Sequence, residues 1–235
     1  MDHDEKKRCI YLVGGSKGGV GKSLASMALL DFLIEQRKAA PILIECDTSN
    51  PDVYKSYRNS VTSKLLDLDE IDGWIELVNL IASNPAQPFV IATPARNNAA
   101  IAQHGALLAN SLEELASRLV TFWLINRQRD SLELLKEYLE AMPCSTLHVV
   151  RNTYFGVEPK FEIYNESKLR QEVEARGGKS LSFPDLADRV SEDLYCARRT
   201  IAALADRTSG VPLGNRAEIL SWRRKTDAMF DACVA

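Results

Sequence analysis

Short apolar runs alternate along the chain with longer amphipathic stretches. The runs are CIYLVG (9–14), PILIEC (41–46), PFVIAT (88–93), LVTFWLIN (119–126), STLHVVRN (145–152) and KSLSF (179–183). Each is brief, rich in β-branched or aromatic residues and apolar on both faces, as expected of a strand in a parallel sheet covered on both sides. The stretches between them carry helical spacing. Ala25, Ala28, Leu29, Phe32 and Leu33 recur at i, i+3, i+4, i+7 and i+8. Leu132, Leu135, Leu139 and Met142 mark one face of another helix, which Pro143 ends. Asn165 to Arg176 forms a third, stopped by Gly177-Gly178, and segments 97–117, 185–206 and 214–232 also read as helical. The polar stretch 47–72 is the least regular, and it follows a strand end, where α/β sheets place ligands. Strands alternating with helices predict an α/β fold with a doubly wound, mostly parallel sheet and helices on both faces.

Composition narrows this picture. The 235 residues suffice for one large α/β domain or two small ones, and 46% hydrophobic residues can build a full core. With no internal repeat and no linker, the expectation is a single domain over 1–235, its last segment, 207–235, a helix packed on or flanking it. Twenty-nine basic against 32 acidic residues give a net charge of −3, which excludes a global field drawing the chain to nucleic acid or anionic lipid. The five cysteines, at 9, 46, 144, 196 and 233, form no metal-type pair and read as reduced thiols, with Cys9 and Cys46 buried. The charged start, MDHDEKKRC, lacks the apolar core of a signal peptide, and no stretch approaches the ~20 apolar residues of a membrane span. A soluble, cytoplasmic protein is expected.

The chemistry concentrates in GGSKGGVGKSLA, residues 14–25. A strand, a glycine-rich turn, Lys22-Ser23 and then a helix form the context of a phosphate loop. Gly18, Gly19 and Gly21 let backbone N–H groups turn toward phosphate oxygens, and the helix adds its positive end. Lys22 can reach the β- and γ-phosphates, and the Ser23 hydroxyl can hold Mg²⁺. Ser16 stands where the ordinary pattern has glycine, and Lys17 follows it. Two ammonium groups so close repel when the loop is empty; a bound triphosphate gives each a charge-assisted partner.

KGGVGKS resembles the deviant phosphate loop of the ParA/MinD family of ATPases, marked by this extra lysine. The resemblance implies a homodimer with ATP sandwiched between the copies, in which Lys17 reaches the partner's phosphates and aids hydrolysis, as an arginine finger does. It implies Gly18, Gly19, Val20, Gly21, Lys22, Ser23 and Leu24 as the loop that holds ATP and Mg²⁺. In ECDTSNPD (45–52) the family's pair of aspartates maps to Glu45 and Asp47. Asp47 would orient the attacking water and lie, with Ser23, near the metal. In HVVRNTYFG (148–156) Asn152 maps to the reader of adenine, and in FPD (183–185) Pro184 maps to the loop lining the adenine pocket. Arg127 and Arg129, after the fourth run, fall where the family's dimer-facing segment begins. One departure stands out: PFVIATPA matches the segment with an aspartate before a Thr-Pro pair, yet Ala92 occupies the aspartate position. Either Glu45 or Asp47 compensates, or hydrolysis is slow, so that ATP binding is expected more firmly than turnover.

NPDVYKSY, TPARNN and WLINRQRDS resemble small ParA-like ATPases of plasmid conjugation and mobilisation, of the TraL/StbB sort. This implies plasmid partition, positioning or conjugative transfer, working with a separate DNA-binding adaptor. Arg198-Arg199 and Arg223-Arg224-Lys225 are candidates for nonspecific DNA contact, and RAEILSWRRKTDAMFDACVA (216–235) for a membrane-surface helix as in MinD, with a helix packed on the sheet as the plainer reading. Rival functions are a nucleotide-gated scaffold with negligible turnover and a small-molecule ligase on the same loop.

Overall fold

The computed structural model describes residues 7–15, 17–95 and 98–234. Seven parallel strands form one sheet: β1 (Arg8–Gly15), β2 (Ile42–Glu45), β3 (Ser63–Leu65), β4 (Phe89–Ala92), β5 (Ser117–Ile125), β6 (Thr146–Asn152) and β7 (Ser180–Phe183), in the order β3-β2-β4-β1-β5-β6-β7. The six predicted strands are present, and β1, β4 and β5 form its apolar middle. β3 has only three residues, two of them exposed, and lies at an edge inside the stretch expected to be irregular. Its SKL sequence has no apolar run to announce it.

The helices are α1 (Lys22–Glu35), α2 (Asp52–Tyr57), α3 (Ile71–Ser83), α4 (Asn98–His104), α5 (Ala106–Ser111), α6 (Arg129–Ala141), α7 (Glu162–Asn165), α8 (Lys168–Ala175), α9 (Asp188–Ala197), α10 (Ile201–Ala205) and α11 (Leu213–Asp231). They fall into two layers. One core joins alternate strand residues such as Tyr11, Val13, Val90 and Phe122 to α1, α2, α9, α10 and α11. The other joins Ile10, Leu12, Ile91 and Trp123 to α3 through α8. Cys9 and Cys46 are buried, as expected. Segment 97–117 divides into two short helices and the start of β5, and its first residue, Asn97, lies outside the described residues, as do Ser16 and Arg96.

The apolar stripe read from α1 understates its burial. Ten of its 14 residues are buried, Ser26 and Asp31 among them. The sheet covers one side and α11 the other. α11 brings Trp222 and Phe230 into the core and pairs Arg223 Nε with Asp31 Oδ2 at 2.6 Å. Of the cationic run on α11, Arg224 and Lys225 face outward and Arg223 does not; Trp222, Met229 and Phe230 are packed inside. Arg199 donates to the carbonyls of Ser209 and Ala203. No helix among the described residues is long and apolar enough to cross a membrane.

Candidate functional site

The carboxyl ends of β1, β2, β4, β6 and β7 converge on a cleft of two chambers. Parallel strands deliver their loops to one edge, and the order reverses around β1, which opens a crevice there. The first chamber, about 330 Å³, is lined by Gly18, Gly19, Gly21, Lys22, Ser23, Glu45, Asp47, Asn50, Asp52, Ala92, Thr93, Ala95 and Tyr195. The second, about 160 Å³, is framed by Leu24, Asn152, Tyr154, Pro184, Leu186 and Tyr195. Gly19, Gly21 and Tyr195 border both. Of the predicted site residues, Gly18, Lys22, Ser23 and Asp47 thus lie in the first chamber, Leu24, Asn152 and Pro184 in the second. Val20 is 1% exposed, its side chain in the core, so that only its backbone is on offer.

The loop is fixed from below. Gly21 has φ +97°, and a Cβ there would meet Asn152 Nδ2 at 2.5 Å, so glycine is needed on both grounds. Asn152 Nδ2 donates to the Val20 carbonyl at 2.9 Å, and its Oδ1 accepts from Tyr154 N at 3.0 Å. The residue expected to read adenine therefore ties the phosphate loop to β6, with one N–H and one lone pair left over. The second chamber is held in turn by α11, since Trp222 Nε1 donates to the Pro184 carbonyl at 2.8 Å.

The two lysines take different positions. Lys22 is 8% exposed and donates to the Lys17 carbonyl at 2.8 Å. Burial lowers its pKa to about 8, against the pull of Asp47. An ammonium already stripped of water gains much from an anion arriving in the chamber. Lys17 points away, to Asp130 Oδ2 at 2.5 Å and Gln128 Oε1 at 3.3 Å at the start of α6. This hydrogen bond and the lysine charge hold the Asp130 carboxyl below its ordinary range. Arg127 donates to the Lys160 carbonyl at 3.1 Å, bracing the loop after β6, while Arg129 is exposed at the start of α6.

The acidic wall comes from β2. Glu45 is 3% exposed, and burial pushes its carboxyl up to about 7 against hydrogen bonds from three backbone N–H groups, of Asp47, Tyr54 and Val53. Asp47 Oδ1 accepts from Ser49 Oγ at 2.7 Å and Asn50 N at 2.9 Å, the pattern of an Asx turn. Among the described residues no group of three or more His, Cys, Asp or Glu can cage a metal ion alone. The oxygen donors of Ser23, Glu45 and Asp47 instead suit Mg²⁺, which usually shares its coordination with phosphate and water. Tyr195 and Asp130 were not singled out from sequence. Nothing in their local pattern marks them; only the fold brings α9 over the loop and α6 beside Lys17.

A doubly wound parallel sheet with a glycine loop at the head of α1 defines the P-loop class of nucleotide-binding folds. Among solved structures, the MinD cell division protein of Aquifex aeolicus superposes with a TM-score of 0.54 at 14% identity, over 92% of this chain and 95% of its own. A nucleotide-binding protein of Archaeoglobus fulgidus, solved with ADP, gives a TM-score of 0.47 at 13% identity, over 81% of this chain and 87% of its own. The fold is therefore MinD-like. No family model matches the chain. It is 53% identical over 227 residues to protein MobD of Acidithiobacillus ferrooxidans, covering 97% of this chain and 98% of that protein, and it belongs to the MobD family.

Proposed function

We propose that the chain is an ATP-binding switch of the ParA/MinD type, which pairs with a second copy around ATP, hydrolyses it weakly and serves plasmid mobilisation, conjugative transfer or positioning. The observation that carries the reading is the division of labour between the lysines. Lys22 sits desolvated inside the first chamber; Lys17, five residues earlier, is turned out of it onto an exposed carboxylate. In this reading Lys22, Ser23 and the loop N–H groups hold the phosphates, and the second chamber takes the base, with Leu24, Asn152 and Pro184 around it. Lys17 leaves Asp130 for the phosphates of the partner copy. Asp47 orients water. Mg²⁺ would be held by Ser23 and Asp47, and when bound it neutralises phosphate charge. The MobD relationship supports the mobilisation setting. A separate DNA-binding adaptor as partner and the cytoplasm as compartment complete the proposal.

Ala92 favours a second reading, a nucleotide-gated scaffold with negligible turnover. A membrane-surface helix draws less support, because Trp222, Met229 and Phe230 are packed inside. Two measurements test the function. ATP at about 100 times its dissociation constant adds about 3 kcal/mol, which raises the melting temperature of a chain this size by roughly 5–10 °C. Lys22→Met should abolish that shift; an unchanged shift refutes the phosphate site. Phosphate release lost in Lys17→Ala and Asp47→Ala supports the ATPase, and tight binding without release under any condition supports the scaffold.

A further inference from the structure

We propose that Glu45 supplies from β2 the carboxylate that Ala92 lacks on β4, and so positions the divalent cation that accompanies a nucleoside triphosphate in the cleft. The inference rests on the nucleotide-binding reading above. Glu45 and Ala92 are register partners on adjacent strands. Register partners in a parallel sheet stand about 4.8 Å apart with side chains on the same face. That face is the one α1 covers, because Leu43 and Val90, two residues earlier on each strand, both lie in the core beneath it. Glu45, Ala92 and Ser23 accordingly line the same chamber. Glutamate is one methylene longer than aspartate, and alanine leaves room for that extra reach.

The carboxylate is aimed as well as buried. Oε1 accepts from Asp47 N at 3.2 Å, and Oε2 accepts from Val53 N at 3.2 Å and Tyr54 N at 3.4 Å. A carboxylate has about four lone-pair sites, so Oε1 keeps one for the chamber. The backbone N–H groups of Asp47, Tyr54 and Val53 offset part of its burial. An aspartate at 92 would place a second carboxylate beside it, which like-charge repulsion disfavours. Glutamate at 45 and alanine at 92 are thus complementary. Asp47 is the poorer substitute: it lies beyond the strand end, and one oxygen is committed to its own turn.

A fluorescent ATP analogue titrated with Mg²⁺ and with EDTA separates this positioning role from simple stapling of the loop. Glu45→Gln should weaken apparent Mg²⁺ affinity about 10–100-fold while leaving EDTA binding within about twofold of the parent. Adding Ala92→Asp to Glu45→Gln should restore the Mg²⁺ response. Equal weakening with and without Mg²⁺, or no restoration in a double variant that melts like the parent, overturns the assignment. Ala92→Asp alone keeps Glu45 and its three N–H partners. It should change the Mg²⁺ response by less than about twofold, and a gain of tenfold or more would mean that the carboxylate had been missing. A parent chain that binds no ATP analogue at all would overturn the nucleotide reading, and this inference with it.

Discussion

Replacing Arg223 with methionine should destabilise the fold at neutral pH and leave it nearly unchanged at pH 5. The guanidinium lies 2.6 Å from Asp31 Oδ2 and 3.7 Å from Glu35 Oε2, and the Asp31 side chain is 3% exposed. Burial lifts the Asp31 carboxyl from 3.8 to about 6, Arg223 pulls it down, and Asp227 and Glu35 push it up. The folded state thus holds this proton more tightly than the unfolded chain does. The stabilisation is full below about pH 4 and is lost as pH rises through about 6. At pH 7 the ionised carboxylate costs the fold about 3 kcal/mol relative to water. Without Arg223 its pKa climbs further, and at pH 7 the group protonates instead of standing unpaired. That caps its cost near 4 kcal/mol, the free energy of taking up a proton at that pH. The electrostatic loss is then about 1–2 kcal/mol at pH 7, below the 3–5 typical of an orphaned buried charge. At pH 5 it shrinks to about 0.1 kcal/mol, and at pH 8 it grows to as much as about 3. Methionine keeps most of the apolar stem. Urea unfolding of both chains at pH 5, 7 and 8 reads the difference directly, since groups away from the pair cancel. A loss that is independent of pH, or larger at pH 5, would refute the reasoning.

Two further outcomes follow from the cleft. Gly21→Ala must hold φ near +97° and displace Asn152, which strain and one lost hydrogen bond set at about 2–3 kcal/mol; neutral behaviour in urea unfolding would contradict the loop geometry. Trp222→Phe leaves the Pro184 carbonyl without its donor, at a cost of about 1–3 kcal/mol, and should weaken ATP binding at the base side; a titration with unchanged affinity would detach α11 from the site.

Much of the fold was legible because parallel strands buried on both faces need continuous apolar runs. The runs at 9–14, 88–93 and 119–126 became β1, β4 and β5. β3 escaped because three residues at an edge need no such run. α3 also escaped, though Trp74, Leu77 and Ile81 repeat at helical spacing, because it begins where the polar stretch ends. The loop from Gly14 to Leu24 could be read since a phosphate site demands glycines and lysine at fixed positions. What α11 contributes could not. Asp31 and Arg223 are 192 residues apart, and nothing local says that a charge on each helix will face inward. Asn152 is a similar case: the sequence suggests an adenine reader, and nothing local signals its bond to the Val20 carbonyl 132 residues away.

The switch itself is tested most directly by molar mass in solution. With Mg²⁺ and a non-hydrolysable ATP analogue at saturation, sedimentation should give twice the 26.2 kDa of one chain. Lys17→Ala should bind the analogue and remain at the mass of one chain. A parent chain that is saturated with analogue yet sediments as a single copy would contradict the account.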